Sequence, residues 1–438
     1  MSHDSTARTL LAQEARALLT RIERLSPFAL RMPMVSAATV SPAAQTGVET
    51  LLLRGRRDLT KMVRGFLAWL GDPRSRPTAA RAQSRFNVLR LRFNTIIRHF
   101  DVFASVLGQR SEHETGVWVA GLDDVAADAL ALPGNYFTAP PIICYLDRNH
   151  GAAIRRAYTR LPGGESNPVA VISVPRERMI GSGIGSSLVH EVGHQGAALL
   201  KLLPSLRAEL HERAEREPER AVAWRWFASW ISEVMADFWS VARVGVGSTL
   251  GLMAVLSLPK PLVFRLVHND PHPIPWLRVK ASCAFGDYLY PHPQWQRLAK
   301  VWEALYPPIK VDPRVQDVIE RCDEILADVA ELIGEHRPAS LRGTRVADVL
   351  ASDQLQPARL REQLATWRAR PKLVETARPC HVFAVIGQAR ADDRMSPDEE
   401  ARVLSRLLTY WALTSSLETN ASCPPRLRAL PAPARALA

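Results

Sequence analysis

Cysteine is scarce and scattered: five in 438 residues, at 144, 283, 322, 380 and 423, with no C-x-x-C pair. That spacing excludes a disulfide framework and a cysteine zinc knuckle, and it points to a reducing compartment. Long apolar runs are missing as well. The nearest case, Val244 to Leu258, is fifteen residues diluted by Gly, Ser and Thr, short of the ~18–20 that span a bilayer; it reads as a buried helix. The start, MSHDSTARTLLAQEARALL, has no basic n-region, apolar middle or small-residue cleavage site, so a cytoplasmic location is expected. Acids are thin near the beginning: residues 1–110 hold 18 Lys and Arg against 7 Asp and Glu, which supplies +11 of the chain's net +12. Such a face suits an acidic protein partner, and no named recognition motif accompanies the arginines, so nucleic acid is not the expected ligand.

What is present has the balance of a globular protein, 47% hydrophobic and 23% charged, with length enough for two or three domains. Apolar spacing predicts helices over 5–25, 48–70 and 79–107, the last with Leu89, Phe93, Ile96, Ile97, Phe100, Phe103 and Leu107 along one stripe. Pro27, Pro33 and Pro42 read as breaks between the first two. After about residue 115 the runs Pro141–Leu146 and Val169–Val174 are rich in β-branched residues and flanked by Pro and Gly, as strands are. Gly181, Gly183 and Gly185 then lead into a helix expected from near Ser186; they fit neither G-x-G-x-x-G nor a P-loop. Further helices are expected at 205–217, 224–244, 314–334, 357–369 and 398–413, with a linker near 307–314. The expected class is α+β, dominated by helix. It divides into an arginine-rich helical region (1–114), a mixed core (115–306) and a helical C-terminal region (307–438) whose tail from about 424 lacks fixed structure.

One motif stands out. His190-Glu191-Val192-Gly193-His194 is an H-E-x-x-H run, expected by composition only about 0.02 times in a chain like this. On a helix its two histidines project from one face, and neutral imidazoles are natural zinc ligands. Glu191 beside them is a candidate general base, able to take a proton from water activated by the metal and to hand it to a leaving amine. The alternative is a helix with two incidental histidines, and a third ligand decides between them. The stretch Gln195–Leu200 provides none, which excludes the G-x-x-H extension. Glu233-Val234-Met235-Ala236-Asp237, in the apolar helix 224–244, sets two carboxylates on one face among Trp230, Ile231, Phe238 and Trp239. Buried acids need compensation. Glu233 on zinc and Asp237 accepting a ligand histidine's N–H would provide it; the rival is an exposed acidic strip. Further on, His272-Pro273 stands six residues before Arg278. His272 could hydrogen-bond a developing oxyanion, and Arg278 could orient substrate or pair with a structural acid.

In this order, H-E-x-x-H, E-x-x-A-D and H-P-x-x-x-x-R resemble the gluzincin metallopeptidases of the CAAX-prenyl-protease and heat-shock-membrane-protease group, over about residues 170–280. The resemblance implies a zincin-like core at 115–306 and a zinc-dependent endopeptidase acting on peptide or protein substrates. It assigns His190, His194 and Glu233 as ligands, Glu191 as general base, Asp237 behind the ligands, and His272 with Arg278 at the substrate side. The relatives are often membrane-embedded or exported, which this sequence does not share. A different class of function is a zinc-stabilised scaffold whose basic N-terminal region binds a protein or nucleic-acid partner. Among weaker candidates, His268, His292, Tyr288, Tyr290 and Tyr306 could reach the same site, whereas Ser396-Pro397-Asp398-Glu399 reads as a helix start.

Overall fold

The computed structural model describes residues 3–25, 32–147, 152–161, 165–176, 181–267 and 269–422. The tail expected from about 424, the break expected at Pro27, His268 and residues 162–164 of the loop after Leu161 lie outside that set. The chain groups into two compact units, one of residues 1–120, 157–169 and 412–438, the other of 121–156 and 170–411.

The first unit is built on α1 (His3–Arg24), α2 (Pro42–Gly71) and α3 (Ala79–Gly108), with the start of α4 (His113–Leu130). The three long helices close over Leu18 and Ile22, Leu59, Val63 and Phe66, and Phe86, Ile96, Phe100 and Phe103, all buried. Asp4 of α1 accepts the backbone N–H of Ala79 at 2.9 Å, which ties the entry of α3 to α1. Arginines and lysines fall on the opposite faces; Arg57, Lys61 and Arg64 of α2 are exposed. The helix expected from 48 begins at Pro42. Ser41 caps it by accepting from Ala44 N at 3.3 Å, and a proline at the first helical position opens a helix instead of breaking one.

The second unit contains a three-stranded sheet, β1 (Ile142–Asp147), β2 (Ala153–Arg155) and β3 (Ala170–Pro175), in the order β1-β3-β2. The two expected strands are there, paired in parallel with Ile142 opposite Ala170; β2 is antiparallel to β3. β3 is buried along its whole length, as a central strand of alternating environment would not be. The remainder is helical: α5 (Ser182–Leu199), α6 (Leu202–Arg216), α7 (Ala221–Val244), α8 (Val246–Leu256), α9 (Lys260–Val263), α10 (Pro275–Leu289), α11 (Gln294–Leu305), α12 (Pro313–Asp323), α13 (Leu326–Glu335), α14 (Val346–Leu350), α15 (Pro357–Ala369), α16 (Pro379–Ala391) and the first part of α17 (Pro397–Ser422), whose residues from 412 belong to the first unit. The protein is thus helix-dominated with a small mixed sheet. No described helix is long and apolar enough to cross a membrane. The single helix expected over 314–334 is two, parted at Glu324 and Ile325. α17 starts as expected, Ser396 accepting from Glu399 N at 3.2 Å.

The position of α7 against α5 is set by two glycines. A Cβ on Gly193 would stand 3.0 Å from the Ala236 backbone, and one on Gly196 would stand 2.6–2.7 Å from ring atoms of Trp239. Trp239 is fully buried and its indole N–H is held by Ala129 O at 3.1 Å, so the ring has nowhere to swing. Gly196→Ala is therefore expected to lower stability by about 1–3 kcal/mol, the cost typical of overpacking a dense core. Urea unfolding at matched slope measures it.

Candidate metal centre

α5 leaves Gly181, whose φ of 109° is glycine territory, and runs with Leu188, Val189 and Val192 fully buried. One turn apart, His190 and His194 look out of that buried side, half-buried, their rings 4.8 Å apart and nearly perpendicular. The close approach at Gly193 and Gly196 brings α7 alongside. Its Glu233 then lies between the histidines, Oε2 at 3.3 Å from His190 Nε2 and Oε1 at 3.3 Å from His194 Nε2. The three residues offer ligand atoms all within 4.8 Å of one another. Ligands held tetrahedrally at ~2.0–2.1 Å from an ion sit about 3.3 Å apart, so the spacing and the donor chemistry, two imidazole nitrogens and a carboxylate, fit a divalent cation of the kind zinc exemplifies.

Behind these donors stands a buried ion pair. Asp237 Oδ1 is 2.8 Å from His190 Nδ1, which orients the ring with Nε2 toward Glu233. Arg278, from the first turn of α10, clasps the same carboxylate, Nε to Oδ2 at 2.6 Å and Nη2 to Oδ1 at 2.9 Å. Burial opposes every charge here, but the partners prevail. Asp237 is held below the ordinary carboxylate range by Arg278 and His190. Glu233 is held low by hydrogen bonds from both histidines and by Arg278. His190 is raised to about 9, burial being outweighed by Asp237 and Glu233. Arg278, its side chain 12% exposed, pairs with Asp237, has Nη2 3.5 Å from Glu233 Oε2 and stands on the wall of the cavity these donors face.

His272 occupies the open side. Its Nδ1 is 2.6 Å from Asp270 Oδ1, and its Nε2 is 3.5 Å from Glu233 Oε2, with the side chain 55% exposed. Together with Glu191, Ser232 and the donors it lines a cavity of about 550 Å³ whose far wall is Ile154 of β2 and Leu252 and Val255 of α8. Glu191 is buried, lines this cavity and acts by its charge on Arg278. The other candidates are elsewhere. The hydroxyls of Tyr288, Tyr290 and Tyr306 bond Glu335, Ala242 O and Leu258 O, and His292 bonds Gln294 N and faces Arg361. Two contributors went unread in the sequence: Asp270, which orients His272, and Ser232, whose Oγ lies 3.4 Å from His194 Nδ1. Asp270 lies two residues before His272, in the reach of an Asx side chain, and that spacing was the available signal. No protein-family model matches this chain, no curated protein matches it, and no solved structure does.

Proposed function

We propose that the protein is a zinc-dependent endopeptidase of the gluzincin type with a zincin-like core, and that His190, His194 and Glu233 hold the metal. The observation that carries the reading is a carboxylate, Glu191, lining the same cavity as three donors at ligand spacing. Zinc bound there would supply Lewis acidity, bringing water's pKa toward ~7 and polarising a carbonyl. The chain's own groups supply the rest. Glu191 accepts a proton from the attacking water and returns it to the leaving amine nitrogen. His272, steered by Asp270, stands where its ring can donate to the carbonyl oxygen as negative charge develops. Asp237 and Arg278 hold His190 in its tautomer and act through it rather than on substrate.

Four buried cysteines without a disulfide support action in a reducing compartment such as the cytoplasm. The basic outer face of α2 supports an acidic protein partner. The test is hydrolysis of an unfolded protein such as casein by purified protein. Activity is expected to fall to background on chelation and to return with stoichiometric zinc. Hydrolysis indifferent to chelator overturns the proposal, and bound zinc with no hydrolysis leaves the scaffold as the better reading.

A further inference from the structure

α7 is buried nearly all round. Between Ala221 and Val244 the residues that are not buried are Val222, Arg225, Trp226, Ser229 and Ser232. At 100° per residue these five fall within an arc of about 120°, a single stripe along the helix. The stripe ends at the metal centre, where Ser232 faces His194 and Glu233 follows it. Its other end floors a second cavity, about 480 Å³, walled by Asn269, Asp270 and Pro271. Asp270 lines this second cavity while its carboxylate holds His272 of the first. The two cavities therefore lie end to end on one helix face, with the segment 270–272 as their shared wall.

Resting on the peptidase reading, we infer that the second cavity is a specificity subsite for a large apolar or aromatic side chain, three residues from the scissile bond on the His272 side. The distance follows from the helix. Trp226 precedes Glu233 by seven residues, about 10.5 Å of helix rise, which an extended peptide covers in about three residues at ~3.3–3.4 Å each. The chemistry follows from the walls. Val222, Trp226 and Pro271 give an apolar, flat-sided surface, and the Trp226 ring is braced by stacking on Trp230 at 5.0 Å. Asp270 repels an acidic occupant and Arg225 a basic one, which leaves uncharged side chains favoured.

The test uses the full chain and a panel of internally quenched peptides varied at each position on both sides of the cleaved bond, with binding read separately by fluorescence anisotropy on Glu191→Gln. Wild type is expected to prefer Phe, Leu or Trp at the third position about tenfold or more over Ala, Asp or Lys. Trp226→Ala should erase that preference mainly through KM and leave zinc content intact; Trp226→Phe should restore it. In anisotropy the same variant should weaken only the peptides with the large residue. Cleavage with a flat third position, or a preference for acids that Arg225→Ala removes, overturns the inference while the peptidase reading stands. Selective, Trp226-dependent binding without cleavage upholds the subsite and overturns the peptidase reading.

Discussion

Glu233→Ala is expected to empty the site of zinc at concentrations that saturate the wild type. Removing one of the three proposed ligands should cost more than disturbing a group behind them, for which losses of ~10–100-fold in affinity are usual; Asp237→Asn provides that smaller reference value in the same assay. Because a ligand that binds only the folded state stabilises it, zinc at 100 times its Kd adds about 2.7 kcal/mol to wild type. That increment should vanish in Glu233→Ala. Both effects have one cause, the carboxylate set between His190 Nε2 and His194 Nε2 at 3.3 Å from each. Metal analysis after dialysis, beside thermal melts with and without zinc, measures them. Equal zinc in variant and wild type would remove Glu233 from the ligand set, and Glu233→Gln guards against a merely misfolded alanine variant because it keeps the volume and one acceptor oxygen.

The parts of this site that a linear reading reaches are those carried by local periodicity. Two histidines four apart on a helix must share a face, so the pairing of His190 and His194 follows from spacing alone. Glu233 and Asp237 were conspicuous for the same reason, as acids one turn apart amid Trp230, Ile231 and Phe238, where uncompensated charge is costly. What spacing does not carry is which distant elements meet. Arg278 had two roles open to it in the sequence, and the packing of α10 on α7 pairs it with Asp237 while keeping it on the cavity wall. Gly193 and Gly196 gave no ligand signal, yet their missing side chains let α7 come close enough for Glu233 to reach the histidines. The sheet shows the same division. β1 and β3 announced themselves by β-branched runs, whereas β2 is three residues long, too short for alternation to register, and exists by pairing with β3. α4 went unread because its 113–130 stretch precedes the first strand without a strong apolar stripe, being rich in Ala and Asp over its second half.

Glu191→Gln separates binding from chemistry. The amide is nearly isosteric with the carboxylate and cannot accept a proton from water near neutral pH, whereas Glu191 is not among the residues whose atoms cluster at ligand spacing. Zinc content and the zinc-dependent rise in melting temperature should therefore match wild type, while kcat/KM for peptide hydrolysis falls at least ~10²–10⁴-fold, the span that a positioned general base contributes. The side chain's surroundings sharpen the expectation. Glu191 lines the cavity and its charge acts on Arg278, so matching melting temperatures of variant and wild type are needed before a collapse of activity is charged to chemistry. His272→Ala offers a graded comparison: removing a single donor to the developing oxyanion costs ~10²–10³ in kcat, with substrate binding kept. Hydrolysis that survives Glu191→Gln within a factor of two would mean that proton transfer runs through another group, and the assignment of the base would fail even with zinc in place.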